Sequence, residues 1–183
     1  MKLWLTSDSH YNHTNIIKYC DRPFVDVSHM NWTLVNNWNS VVEPNDWVIH
    51  CGDVAMGRWE DSRSVVRALL GNVVLLAGNH DRNKFLNVYR DLGWHVLQSL
   101  SVEGVLFQHH YISSDVEHDH DLVVHGHSHG TVIKDRHVDV GVDDARWIKF
   151  TPINAINVIG GRRSALIVHV LNTMFEKGKF EHE

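Results

Sequence analysis

With 183 residues, 43% hydrophobic and 21% charged, the chain is long enough to bury a core of its own, and its composition excludes disorder as the default state. A net charge of −5 argues against general binding to nucleic acid or anionic lipid, which calls for a basic excess. Histidine is the outlier: there are 16, against 17 lysines and arginines together. Imidazole is the commonest metal ligand and the usual acid or base near neutral pH, so the spacing of these rings matters more than their number.

Short apolar runs alternate with amphipathic stretches, the pattern of an α/β layered domain without internal linker or repeat. In chain order, strands are predicted at Leu3–Thr6, Trp47–Cys51, Val73–Ala77, Val105–Gln108 and Leu122–His125, with weaker ones at His95–Leu97, Thr131–Ile133 and His137–Val140. Ser28 is a candidate N-cap for a helix that carries Met30, Leu34, Val35 and Trp38 at helical spacing. A second helix is expected over Asp61–Leu70, ended by Gly71 or Asn72. Pro152 suits the first turn of a short helix through Ile159, and Ala165–Phe175 reads as a docking helix, so 152–183 is expected to be a helical extension of a single domain spanning 1–183. The Leu3-Trp4-Leu5 run is too short for a signal-peptide core, and no apolar run approaches the ~20 residues that span a bilayer. Cys20 and Cys51 form no CxxC pair and read as reduced thiols. The expected location is the cytoplasm.

Each strong strand runs into a turn of Asp, His, Asn and Gly. The first ends at Asp8-Ser9-His10, the second at Gly52-Asp53, and the third at Gly78-Asn79-His80-Asp81. The fourth ends at His109-His110 and the fifth at Gly126-His127-Ser128-His129. One such histidine is more often a capping or surface ring than a ligand. Five turns in this order are a different matter, because ligand sites in open α/β sheets gather beyond the carboxyl ends of strands. His/Asp/Asn sets suit manganese, iron or zinc better than calcium, which takes oxygen shells.

The order DxH, GD, GNHD, H, GHxH resembles the calcineurin-like metallophosphoesterase family over Asp8–His129. The stretch from Ser7 through Asn15 to Phe24 is similar to the small stand-alone members found in bacteria and their phages. It differs from the protein phosphatases, which carry GDxVDRG and GNHE where this chain has Gly52-Asp53-Val54-Ala55-Met56-Gly57 and Gly78-Asn79-His80-Asp81. The resemblance implies two mixed sheets in a sandwich flanked by helices, with two divalent cations at the strand ends. Manganese is the first choice, with iron, zinc or nickel as alternatives. Asp8, His10, Asp53 and His129 would hold one ion. Asp53, Asn79, His127 and one of His109 or His110 would hold the other, with Asp53 shared. His110 is preferred, because His110-Tyr111-Ile112 follows the family's His-Tyr-Pro register with Ile for Pro. His80 resembles the general acid, oriented by Asp81. His13 and Arg22 are candidate substrate contacts.

The implied activity is hydrolysis of phosphoesters. A phosphodiesterase acting on small nucleotide-type substrates such as 2′,3′-cyclic nucleotides comes first, with a phosphomonoesterase or a non-catalytic scaffold as alternatives. No membrane partner and no extended nucleic-acid partner is expected. Arg58, Arg82 and Lys84 are assigned to the surface, and His118-Asp119-His120-Asp121 to a solvated turn. Among the seven tryptophans only Trp59 is placed for a substrate base.

Overall fold

Strand alternation divides the core in two. In β1 (Leu3–Thr6), β2 (Trp47–His50) and β3 (Asn72–Leu76) every residue except Asn72 is buried. Successive side chains therefore go to two covered faces, as strands of a parallel sheet require. Leu3, Leu5, Trp47, Ile49, Val74 and Leu76 point one way, and Trp4, Val48, Val73 and Leu75 the other. The computed structural model describes residues 1–81, 83–111 and 119–176. Arg82, His118 and the side chain of Lys84 lie outside the described residues.

The sheet runs β4-β3-β2-β1-β9, with β4 at His95–Leu97 and β9 at Ile153–Asn154. Its pairs are parallel except β1 with β9. A second sheet runs β5-β6-β7-β8, from Ser99–Val102, Val105–Gln108, Leu122–His125 and His137–Asp139. Only β5 with β6 is antiparallel there. Both sheets are mixed, and Leu100, Val105, Phe107 and Val124 of the second join the inner residues of the first in one cluster. Ile167 and Leu171 of α6 (Gly161–Glu176) complete it. Each such side chain contributes about 1.5–3 kcal/mol on burial.

Helices cover the outer face of the first sheet. α1 (Ile16–Tyr19) anchors through buried Ile16, and α2 (Val27–Val41) buries Met30, Leu34 and Trp38. α3 (Trp59–Arg67) and α4 (Asn83–Asp91) add Val66, Phe85, Leu86 and Tyr89. The result is the α/β sandwich expected from the sequence. Among the described residues no helix is long and apolar enough to cross a membrane.

Several expectations are corrected. α2 is capped by Asp26, two residues before Ser28, and its Oδ1 accepts the His29 N–H at 2.8 Å. No strand forms at Thr131–Ile133, and Ile133 is exposed. Ile153 and Asn154 are a strand paired with Leu5 and Trp4, so among the described residues of the C-terminal part α5 (Ile156–Ile159) and α6 are the helices. Trp59 packs edge-on against Phe85 and Tyr89 in the helical core and takes no part in the site.

Candidate metal centre

The parallel register brings the ends of β1 and β2 side by side, with Thr6 opposite His50, and the two following loops stay paired. Asp8 N–H donates to the Gly52 carbonyl at 3.0 Å and His10 N–H to the Asp53 carbonyl at 3.1 Å. Asp8, His10, Asp53, His127 and His129 all have positive φ, between 49° and 67°. Five non-glycine residues in the left-handed region cost about 1 kcal/mol or more each, and such strain concentrates at functional sites. Gly52 (φ +95°) could not be replaced: a Cβ there would lie 2.6 Å from His109 Nδ1 and 2.8 Å from the Gly78 nitrogen.

Each of the two carboxylates is held by one oxygen and leaves the other facing inward. Asp8 Oδ2 accepts the His127 N–H at 2.9 Å, and Asp53 Oδ1 accepts the His80 N–H at 2.9 Å. Asp53 Oδ2 then lies 3.7 Å from His10 Nε2, 3.5 Å from His109 Nε2 and 3.9 Å from His80 Nε2. Asp8 Oδ1 lies 4.0 Å from both His10 Nε2 and His129 Nε2. Asp8 Oδ1 and both His10 nitrogens are buried without a hydrogen-bond partner. Buried polar atoms are nearly always satisfied, so orphans converging on one point mark a place for a ligand.

The titration behaviour reflects crowding of unscreened groups. Burial pushes the Asp8 carboxyl up to about 8; His129 opposes the rise, and Asp139 and Asp53 add to it. Burial drives His10 far below the usual imidazole range, with Arg22 and His129 adding to the effect. A divalent cation between the two carboxylates would bring the Asp8 carboxyl back down and would take up the lone pair of the neutral His10 ring.

His109 and His110 take different places. Strand alternation puts His109 on the same face as Phe107, toward the first sheet, where it is buried. Its Nδ1 donates to the Cys51 carbonyl at 2.8 Å, which leaves Nε2 without a proton, 2.9 Å from Asn79 Oδ1. Burial lowers its pKa to about 4, against the pull of Asp53, so the ring is neutral and two lone pairs face one another. That arrangement suits adjacent ligands of one cation. His110 is exposed, its ring 4.3 Å from that of His127. Ligand atoms of His109, His110 and His127 lie within 4.8 Å of one another, and of the two neighbours it is His109 whose Nε2 stands 3.5 Å from Asp53 Oδ2. His127, also exposed, stands 5.0 Å from His109 by ring centroids.

Two further roles are corrected. Arg22 is buried and cannot reach a substrate. It grips Asp143 with two hydrogen bonds of 2.8 Å and donates to the carbonyls of Asp8 and Ser9. Asp143 in turn accepts His129 Nδ1–H at 2.7 Å, which turns Nε2 toward Asp8. Burial disfavours the His129 charge, but the hydrogen bonds to Asp143 and Cys20 raise its pKa to about 10. Asp143 escaped the sequence reading, since it belongs to no motif and follows Gly141-Val142 after a weak strand. Asp81 does not touch His80. It accepts the N–H groups of Asp53 (2.7 Å), Gly78 (3.0 Å) and Val54 (3.1 Å), and so fixes the turn that carries Asp53. His80 itself is about one-third exposed, and His13 lies beside it with ring centroids 6.3 Å apart.

Ligand atoms of Asp8, His10 and His129 lie within 4.8 Å of one another, as do those of Asp8, Asp53 and His109. The donor chemistry of both groups, carboxylate plus imidazole, fits a divalent transition metal.

No family model matches the chain. It is 30% identical to the uncharacterized protein MJ1445 of Methanocaldococcus jannaschii, over 94% of this chain and 98% of that protein. The chain belongs to the MJ1445 family. The Gene 66 protein of Mycobacterium phage L5 is 26% identical to this member of the family, over 76% of this chain and 86% of the phage protein. Among solved structures, the protein of unknown function AQ665 from Aquifex aeolicus superposes with a TM-score of 0.66 at 20% identity, over 86% of this chain and 97% of that one, and so shares the fold.

Proposed function

We propose that the protein is a phosphodiesterase that works with two divalent metal ions. The observation that carries this reading is the convergence of Asp8 Oδ1, Asp53 Oδ2 and the Nε2 atoms of His10, His109 and His129, with buried atoms lacking any partner. Asp8, His10, His129 and Asp53 would hold one ion, and Asp53, Asn79, His109 and His127 the other. Bound there, the ions would lower the pKa of a water molecule and neutralise the phosphoryl oxygens. His80 borders the same space with its Nε2 and is suited to deliver a proton to the departing alkoxide. Arg22 and Asp143 keep His129 in the required tautomer and orientation.

A diester is favoured over a monoester by charge. A monoester dianion calls for a further cation, and among the described residues the arginine buried beside the centre, Arg22, is fully engaged by Asp143 and two carbonyls. With Mn²⁺ supplied, bis-p-nitrophenyl phosphate and 2′,3′-cyclic AMP are expected to turn over faster than p-nitrophenyl phosphate, and chelator should stop all three. A monoester hydrolysed much faster than both diesters would replace this reading with a phosphomonoesterase.

The ligand register yields its own test. His109→Ala should weaken the second Mn²⁺ equivalent by at least about 10–100-fold, the range seen for groups that only orient a ligand. His110→Ala should change it little. Isothermal titration of the metal-free protein separates them, and the reverse ranking would return the ligand role to His110.

A further inference from the structure

A cavity of about 520 Å³ opens directly beside the centre, bounded on one side by His10, His80 and His129 and on the other by Ile16, Tyr19 and Met56. It is within the range of small-molecule pockets and large enough for a nucleoside-sized group. Its walls are unlike the centre. Among the described residues that line it there is no Lys, Arg, Asp or Glu, so beyond the imidazoles of the centre itself a second charged group on the ligand would meet no countercharge. What the walls present is flat and apolar. The Tyr19 ring is 73% exposed, at the end of an α1 helix pinned from below by buried Ile16. It stands edge-to-face with His13, the centroids 6.1 Å apart at 78°. A lone exposed aromatic is ordinary. One that walls a cavity next to the candidate acid, with a polarisable Met56 on the same lining, is a stacking platform.

We propose that this cavity receives the organic group of the ester, an uncharged flat ring of nucleobase size stacked on Tyr19, with His13 closing its edge. The inference rests on the phosphodiesterase reading for its place in turnover, but ring binding itself is independent of catalysis. It makes Tyr19 a specificity-determining residue and disfavours ligands whose remote part is anionic.

The test has two arms. In the first, adenosine, which carries no phosphate, is titrated into the metal-free protein by saturation-transfer NMR. It should bind the wild type and Tyr19→Phe alike, and Tyr19→Ala about tenfold more weakly, the order of effect that removing a stacking ring has on base binding. In the second, the Mn²⁺-loaded protein is assayed on 2′,3′-cyclic AMP and on glycerol 1,2-cyclic phosphate, which has no ring. Tyr19→Ala should raise KM for the nucleotide about tenfold at similar kcat and leave the ring-free substrate unchanged. Adenosine that fails to bind, or binds Tyr19→Ala as well as wild type, overturns the proposal, and so does a KM change equal on both substrates. Tyr19-dependent adenosine binding by a protein inert toward every diester would sink the phosphodiesterase reading and leave the ring site standing. Tyr19 is too exposed for its truncation to threaten the fold, and the circular dichroism of the variant should match wild type.

Discussion

Asp53→Ala is expected to abolish turnover and, under the proposed two-ion assignment, to cost the protein bound Mn²⁺ at both sites. The reason is the position of one oxygen. Asp53 Oδ2 is the atom that His10, His80 and His109 all approach within 3.5–3.9 Å, so under the proposed assignment its loss removes a ligand from each ion at once. Several kcal/mol of charge stabilisation correspond to a drop of about 10³-fold or more in rate. Alanine also removes the acceptor of the His80 N–H, so Asp53→Asn is the sharper variant. It keeps that hydrogen bond and deletes only the charge. Asp53→Asn should be as inactive as the alanine variant and should bind little Mn²⁺ by elemental analysis. Its metal-free form should melt no lower than wild type, because the Asp53 carboxylate helps push up the buried Asp8. Wild type should gain Tm on adding Mn²⁺ through binding to the folded state alone, and the variant should not. Full activity with two ions bound in either variant would remove Asp53 from the bridge.

Much of the frame was legible because burial on both faces leaves a plain signature. β1, β6 and β7 fall on the predicted residues, and β2 and β3 within one residue at either end, since each is an apolar run stopped by polar turn residues. The elements that escaped carry weaker patterns. β5 reads Ser-Leu-Ser-Val with only Leu100 buried, and β9 is two residues long, held by its pairing to β1. Neither has enough local signal to compete with turn or helix; tertiary pairing decides them. α4 opens at Asn83, two residues after the Gly-Asn-His-Asp turn, and the motif hid the helix behind it.

The site was legible in its motif residues and opaque in their supports. Asp8, His10, Asp53 and His129 were read from strand-end motifs, and the structure brings them together. Arg22 and Asp143 lie 121 positions apart, so their pairing is invisible along the chain. Both were obscure for the same physical reason. A bidentate arginine–carboxylate pair buried under a candidate ligand looks, in sequence, like two loop residues. Between His109 and His110 the sequence carried a second signal besides the motif. Phe107 belongs to the core between the sheets, and the two-residue period of a strand carries His109, not His110, to that inner face.

His80 is where the proposed chemistry is most exposed to test. Its backbone N–H is tied to Asp53 Oδ1 at 2.9 Å, while its ring projects into the cavity, one-third exposed, with Nε2 3.9 Å from Asp53 Oδ2. This residue therefore sits at the boundary between the ions and the organic group, where the leaving oxygen must depart. His80→Ala and His80→Asn are expected to keep both Mn²⁺ equivalents, because neither ion is assigned to this ring. Turnover should fall by about 10²–10⁴-fold on 2′,3′-cyclic AMP, whose ribose alkoxide is a poor leaving group that needs a proton as the bond breaks. On bis-p-nitrophenyl phosphate the fall should be far smaller, since a nitrophenolate carries its own charge. The ratio of the two losses is the measurement, and it is insensitive to small differences in folded fraction or metal content. An acid delivering a proton to the leaving group predicts unequal losses that grow with leaving-group pKa. Equal losses on both esters would instead make His80 a residue that positions the phosphate, and the proton would have to come from water.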